Sequence, residues 1–261
     1  ELRLEDLRAV RIKLPDEKME QQIDAIKLRL PAFDDVTHFS PGTFLYHTHW
    51  YRDSYFISEA FTNLGFLKEV REKVEKYPSR QQNSGAFVDH PGELDSHAIA
   101  LCTMLNFCRK SGDVNLLRDL FDSIYRGLLW IDKQRVRSPR RAQLHEGLLP
   151  ASFSAEHFGG CDHYFWDNLW SLHALNLGRR AARRLGRQRE AGGVGRRQRA
   201  VDRGAGAKRN RSAARRGRAA AQDVERAREL ERRRKGGERH VAVHIDRIAD
   251  GQPQRVGQGQ P

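Results

Sequence analysis

The sequence predicts an all-α fold of paired helices over residues 1–178, followed by a disordered basic tail over residues 179–261. Apolar residues in the first part recur every three or four positions, and no segment alternates as a β-strand does. All 22 aromatic residues lie at or before Trp170, so the apolar core must come from the first part. The tail holds 25 Lys and Arg against 9 Asp and Glu, a net charge of +16 that leaves −3 for residues 1–178.

The first predicted helices are marked by apolar spacing and by their ends. One helix has Asp16 at its start, where an acidic group favours a helix N-terminus, and its apolar residues are Met19, Ile23, Ile26 and Leu30. A second helix is predicted over residues 53–64 and ends at Gly65, which can adopt the left-handed conformation of a C-cap. A short third helix follows over residues 66–77.

The later helices are longer and have clear start signals. One begins at Asp95 and ends near Gly112. Asp113 then caps a helix that reaches about Ile131, and a final helix begins near Trp166. Helices joined in pairs bury their apolar stripes against neighbouring pairs, which predicts an array of helical hairpins.

Three long connections alternate with the short ones and lead into every second helix: residues 46–53, 85–95 and 146–167. In a closed ring of hairpins, the N-termini of alternate helices lie on the same rim. These connections hold most of the unusual polar and aromatic residues, so we expect the functional site on that rim.

The first rim segment combines Trp50, Arg52 and Asp53 at a helix start. An aromatic ring packs against the C–H face of a pyranose, and an Arg–Asp pair can bond neighbouring hydroxyl groups. These residues therefore predict a sugar-binding site. The alternative is that Asp53 caps its helix and Arg52 pairs locally.

Carboxylates also occur in the other two rim segments. The second segment contains Glu93 and Asp95, and an N-cap role explains Asp95 equally well. The third contains Glu156, Asp162 and Asp167 among several aromatic residues. Core packing alone does not explain so many rings beside three acids.

Four motifs within residues 15–178 resemble, in order and spacing, the rim motifs of six-hairpin glycoside hydrolases such as glucoamylase-type enzymes. They are Trp50-x-Arg52-Asp53, Gly92-Glu93-x-Asp95-Ser96, Gly147-Leu148-Leu149-Pro150 and Tyr164-x-Trp166-Asp167-x-x-Trp170. This resemblance implies that residues 1–178 form an incomplete (α/α)6 toroid of about three hairpins. It also implies cleavage of O-glycosidic bonds in oligo- or polysaccharides.

The resemblance assigns sugar-binding residues by position. Arg52 and Asp53 would hold sugar hydroxyls on the non-reducing side of the cleaved bond, and Trp50 would form part of the wall. Glu93, Asp95 and Trp166 would complete the set of substrate-binding residues.

The resemblance also implies general acid and base chemistry by carboxyl groups. Asp167 stands where glucoamylases have the glutamate that acts as general acid, and aromatic neighbours would raise the pKa of its carboxyl. Glu156 is a rival for this role and Asp162 a weaker one. The general base of the family comes from a late hairpin, and nothing after residue 178 matches it. We therefore expect this chain to be an inactive fragment of such an enzyme, of low solubility because an incomplete ring exposes apolar surface.

The tail has too few apolar side chains to offset the entropy of ordering the chain. It is either a natural basic tail or the product of a shifted reading frame from about Leu177 onward, and the second is favoured because the apolar rhythm stops inside a helix. Its cationic side chains predict non-specific, salt-dependent binding of polyanions. Two other functions therefore remain open: a nucleic-acid-binding protein, and a non-catalytic carbohydrate-binding module.

Composition bounds the remaining classes. Cys102, Cys108 and Cys161 form neither an even disulfide framework nor a C-x-x-C pair, and no apolar segment suits a signal peptide or a membrane span. We therefore expect a cytoplasmic protein with no membrane partner. His47 and His49 lack a defined third and fourth donor, so neither a metal nor another cofactor is expected.

Overall fold

The computed structural model describes residues 12–136, 147–154 and 160–199. All regular secondary-structure elements in these ranges are helices, and the only β-type pairings there are two isolated bridges. The helices are α1 Glu17–Arg29, α2 Tyr51–Asn63, α3 Leu67–Val74, α4 Tyr77–Arg80, α5 Asp95–Ser111, α6 Val114–Gln134, α7 Phe165–Arg184 and α8 over residues 188–199, with a 3₁₀ turn at Leu30–Phe33. The predicted all-α class is therefore confirmed.

Several helix ends follow directly from the sequence. The Asp16 carboxylate accepts a hydrogen bond from the backbone N–H of Lys18 (2.8 Å), and the Asp113 carboxylate accepts one from Leu116 (2.8 Å). Gly65 and Gly112 have φ angles of 89° and 77°, a region that side chains disfavour. The predicted third helix over residues 66–77 corresponds to α3, which ends earlier, at Val74. The short α4 begins at Tyr77, and its second residue is a proline, which the first turn of a helix tolerates.

The centre of the fold is α5, which packs against α2, α6 and α7. Every residue from Asp95 to Cys108 in this helix is buried, including the polar residues of its first turn. A buried helix is apolar on most of its surface. Its few buried polar groups need hydrogen-bond partners, because they are shielded from water. The polar residues in the first turn of α5 find such partners on other elements.

The tail prediction is wrong for residues 179–199. Helix α7 continues to Arg184, and α8 covers residues 188–199. Ala182 and Val194 are fully buried in the same core as the aromatic residues, and Arg187 lies over the ring of Phe121 at 4.8 Å. The folded unit therefore continues past the predicted boundary at residue 178, whereas residues 200–261 lie outside the described ranges.

Small residues at the helix contacts explain how the chain near residue 178 packs without aromatic side chains. A Cβ atom at Gly178 would lie 2.3 Å from the Leu128 Cδ1 atom, so α7 approaches α6 through its glycine. A Cβ at Gly127 would lie 2.6 Å from the Leu101 Cδ2 atom, which gives α6 and α5 a similar contact. Close helix approach buries apolar surface efficiently even where the side chains are only Ala and Gly.

Part of the apolar surface stays exposed on α2 and α7. Phe56, Phe165, Trp166 and Leu169 are between 42% and 59% exposed. The incomplete (α/α)6 toroid would leave such a face without a neighbouring hairpin, and this arrangement stays a prediction. None of the helices in the described ranges combines the length and hydrophobicity of a membrane-spanning segment.

Candidate functional site

A cleft of about 350 Å³ lies beside the N-termini of α2 and α5. It contains five of the residues that the sequence proposes for sugar binding. The residues that line it are Pro41, Tyr46, Trp50, Arg52, Asp53, Asp89, Glu93, Asp95 and Ser96. The first and second rim segments therefore meet at one cleft.

Arg52 and Asp95 connect these two segments. The Nε and Nη2 atoms of Arg52 lie 2.9 Å and 2.8 Å from Oδ2 of Asp95. The indole Nε1 of Trp166 donates a further hydrogen bond to the same oxygen (2.8 Å), and Glu93 Oε1 lies 3.8 Å from Arg52 Nη2. One buried carboxylate thus joins α2, α5 and the start of α7, which belongs to the third rim segment.

The N-cap explanations of Asp53 and Asp95 are wrong. The N-cap residues of α2 and α5 are Trp50 and Leu94, and neither makes a capping hydrogen bond through its side chain. Asp95 is the first residue of α5, where a carboxylate also suits the positive end of the helix dipole. Its side chain is used for the ion pair with Arg52, 43 residues away in sequence.

Asp167 lies close to this ion pair but does not line the cleft. It is 4% exposed, and its Oδ2 atom accepts a hydrogen bond from the Ser152 hydroxyl (2.5 Å). Burial raises the pKa of Asp167 to about 6, with smaller upward contributions from the charges of Asp95 and Glu93, while Ser152 and Arg52 lower it. The carboxyl is therefore near the predicted site and easily protonated, but it is enclosed.

Asp89 is a cleft residue that the sequence analysis missed. Its carboxylate accepts a hydrogen bond from the backbone N–H of Tyr51, the first residue of α2. Burial raises the pKa of Asp89 to about 7, and the charges of Asp95 and Glu93 also raise it, whereas the Tyr51 N–H and Arg80 lower it. Its position in the second rim segment, four residues before Glu93, was the available signal.

Two polar atoms beside the cleft have no hydrogen-bond partner among the described residues. They are Oγ of Ser96, a residue that is 2% exposed, and Nε1 of Trp50, whose ring stacks on His90 at 5.9 Å. Buried polar atoms without partners are rare, and each needs an explanation such as a water, an ion or a functional role. Tyr46, on the same cleft, has a φ of 56°, a strained conformation for a residue with a side chain.

The second rim segment is anchored to the rest of the domain at both ends. The His97 Nδ1 atom accepts from the Phe87 N–H (3.1 Å), so Nε2 carries the proton and donates to the Gly127 carbonyl oxygen (3.0 Å). Near the other end, the Phe153 N–H donates to the Gly92 carbonyl oxygen (2.9 Å). These bonds fix the loop that carries Asp89 and Glu93.

The remaining catalytic candidates have different positions. Glu156 lies outside the described residues. Asp162 is exposed, pairs with Ser152 through the backbone (2.9 Å and 3.1 Å), and accepts from the His163 N–H (2.6 Å). This bridge helps to hold Ser152 against Asp167 but leaves the Asp162 carboxylate outside the cleft lining.

The histidines near the first segment make local contacts. His47 Nε2 lies 3.1 Å from Oδ2 of Asp35, and His49 Nδ1 lies 3.2 Å from the Ser54 hydroxyl. Burial lowers the pKa of His49 to about 3. In the part of the chain that the structure describes, no three His, Cys, Asp or Glu side chains are grouped so that they could hold a metal ion.

Comparison of the chain with protein-family models, with curated proteins and with solved structures gave no match.

Proposed function

We propose that this helical domain binds a carbohydrate in the cleft beside α2 and α5 and hydrolyses one of its O-glycosidic bonds. The observation that carries the proposal is the Asp95 carboxylate, which accepts bonds from Arg52 and Trp166 and so holds the cleft residues together. A sugar needs an aromatic surface beside acceptors and donors for its hydroxyl groups. Trp50, Arg52 and Asp53 supply these groups on one side of the cleft.

Two titratable groups, one in the cleft and one close to it, support hydrolysis rather than binding alone. Glycoside hydrolysis needs one carboxyl that is protonated near neutral pH and a second carboxylate that activates water. Asp89 and Asp167 have raised pKa values of about 7 and about 6, and both lie within electrostatic range of Asp95 and Glu93. All residues that line the cleft precede residue 97, so the cleft forms without any hairpin after residue 178. For this reason the proposal is an active chain, whereas the resemblance to six-hairpin glycosidases led us to expect an inactive fragment.

Hydrolysis of 4-nitrophenyl glycosides tests this proposal. The α- and β-anomers of the glucoside, galactoside and mannoside are incubated with the full chain, and release of nitrophenol is followed. We expect turnover of at least one of them. Asp53→Asn should raise KM about tenfold or more, because a charged acceptor for sugar hydroxyls is lost.

Asp122→Asn is the matched control. Asp122 lies on α6, is 82% exposed through its side chain and pairs only with Arg187 among the described residues. Its variant should hydrolyse the glycosides like the wild type. Sugar binding without turnover by the wild type would favour a non-catalytic binding module instead. Absence of both sugar binding and glycoside turnover would overturn the proposal. The nucleic-acid alternative would then remain, and it depends mainly on residues 200–261.

A further inference from the structure

We propose that Asp89 is the general acid of the cleft and that Asp167 is a positioning residue. This inference rests on the proposed hydrolysis of a glycoside and names the group that protonates the leaving oxygen. It reverses the assignment that the resemblance to six-hairpin glycosidases implies for Asp167. The two carboxyls differ in their access to the cleft and in their hydrogen bonds.

Asp89 has an oxygen available for proton donation. It lines the cleft, and its Oδ2 atom accepts the Tyr51 N–H. The carbonyl oxygen of a neutral carboxyl is a better hydrogen-bond acceptor than its hydroxyl oxygen, so the bond from the Tyr51 N–H to Oδ2 favours the proton on Oδ1. The bond to Tyr51 therefore orients the group and leaves the other oxygen to act as the donor.

The surroundings of Asp89 keep it partly protonated near neutral pH. Burial and the neighbouring carboxylates Glu93 and Asp95 favour the neutral form, while Arg80 and the N-terminus of α2 oppose it. Asp89 also lies within electrostatic range of the phenol groups of Tyr51 and Tyr77. A carboxyl whose pKa is about 7 is half protonated at pH 7, which suits a proton donor.

Asp167 lacks this access. It is 4% exposed, is not part of the cleft lining, and accepts a hydrogen bond from the Ser152 hydroxyl. Its neighbour Trp166 donates to Asp95 and lies near the Arg52 guanidinium at 5.9 Å. Asp167 therefore holds the third rim segment and the start of α7, and through them it positions the Arg52–Asp95 pair.

Asp89 protonates the leaving oxygen as the glycosidic bond is cleaved. The bond between the anomeric carbon and the leaving oxygen breaks, and its electron pair goes to that oxygen, which takes the proton from Oδ1 of Asp89. A water oxygen forms a bond to the anomeric carbon and gives its proton to another carboxylate of the cleft. The products are a sugar hemiacetal and a free alcohol. Bulk water then returns a proton to Asp89 and takes one from the second carboxylate.

Leaving-group dependence tests the assignment directly. A 4-nitrophenolate leaves without protonation, whereas an alkoxide needs a proton from the acid, so loss of the acid harms alkyl glycosides most. Asp89→Asn should reduce kcat/KM for a methyl glycoside by about 10² to 10⁴ and for the 4-nitrophenyl glycoside of the same sugar much less. Asp167→Asn should reduce both by a similar factor, because positioning affects both substrates alike.

Asparagine is chosen as the replacement for Asp89 because its side-chain oxygen can still accept a hydrogen bond from the Tyr51 N–H. Thermal unfolding checks that the variant is folded.

The wild type gives a second readout that needs no variant. Turnover of the methyl glycoside should fall as the pH rises through about 7, while turnover of the nitrophenyl glycoside should not. Equal losses for both substrates in Asp89→Asn, selective loss in Asp167→Asn, or identical pH profiles would each overturn the inference while glycoside hydrolysis stands. Failure of the wild type to hydrolyse any glycoside would instead overturn the proposed function and this inference with it.

Discussion

Arg52 and Asp95 form a buried ion pair in which two guanidinium nitrogens, Nε and Nη2, lie 2.9 Å and 2.8 Å from a single carboxylate oxygen. The side chains are 22% and 4% exposed, so solvent screens them little. The same oxygen accepts the Trp166 indole N–H. Each residue belongs to a different rim segment, and their common partner makes the cleft one structural unit.

Removal of Arg52 should therefore destabilise the domain. Arg52→Gln leaves the Asp95 carboxylate buried without its main counter-charge, which we expect to reduce the free energy of unfolding by ~3 kcal/mol. Chemical denaturation at pH 7 measures this change. Arg118→Gln is the control, because Arg118 is an exposed residue of α6 that contacts Asn115, and its change should be below ~0.5 kcal/mol. The double variant with Arg52→Gln and Asp95→Asn checks the pairing. Two paired residues should lose less stability together than the sum of their single losses. A loss in the double variant that equals this sum would contradict a direct pairing.

The Ser152 hydroxyl should hold down the pKa of Asp167. It donates to Oδ2 and so favours the ionised carboxylate against the effect of burial. Ser152→Ala should raise the pKa of Asp167 above its value of about 6 in the wild type. A pH titration of the carboxyl carbon signals by ¹³C NMR measures this shift. An unchanged or lower value in the variant would show that the hydroxyl does not bond the carboxylate in solution.

Asp89 should make the stability of the domain depend on pH. Its pKa is raised from 3.8 to about 7 on folding, so the folded state binds the proton more tightly than the unfolded state does. The wild type should therefore lose stability as the pH rises from about 4 to 7 and change little from this source above that range. Asp89→Asn removes this dependence, and we expect it to gain ~1–2 kcal/mol relative to the wild type between these limits, because partial exposure reduces the effect.

Denaturation of both proteins at pH 4.5 and pH 8 checks the sign. The asparagine side chain of the variant can keep the bond to the Tyr51 N–H, so the comparison isolates the charge rather than the helix end. If Asp89→Asn were more stable than the wild type at pH 4.5 and not at pH 8, the result would contradict the raised pKa of Asp89.

The glycine contact between α6 and α7 tests whether the chain after Leu177 is folded. Gly178→Ala places a methyl group against Leu128, and we expect a loss of ~1–3 kcal/mol in the free energy of unfolding. Gly192→Ala is the matched control, since a Cβ at this exposed glycine of α8 would meet only the Arg196 Nη1 atom at 3.8 Å, an ordinary contact, and alanine is a better helix former. Identical stabilities of the two variants would show that α7 does not pack against α6 as described.

Helix ends and rim segments could be predicted because their signals are local. Asp16, Gly65, Gly112 and Asp113 lie at the ends that their chemistry indicates. The role of Asp95 has no such local signal, because an acid at a helix start has two explanations in sequence. Only its contact with Arg52, across 43 residues, decides between them.

Other features depend on contacts that have no local signature. Asp89 bonds the N–H of Tyr51, 38 residues earlier, and nothing in its neighbours along the chain indicates this. The enclosure of Asp167 depends on Ser152 across a loop. The helices after residue 178 could not be predicted, because a segment with few large apolar residues resembles a disordered one. Gly178 and Ala182 nevertheless pack closely in the core without large side chains.

Binding of a sugar beside Trp50 is the claim on which the whole functional account depends. The indole N–H signals of the four tryptophans can be followed in ¹⁵N–¹H NMR spectra during titration with maltotriose, cellotriose and mannotriose. We predict that one of these sugars shifts the Trp50 signal strongly, because Trp50 lines the cleft, and leaves the signal of Trp130, which packs against His97, unchanged. Titrations in which no tryptophan signal moves, or in which Trp130 moves and Trp50 does not, would contradict the account.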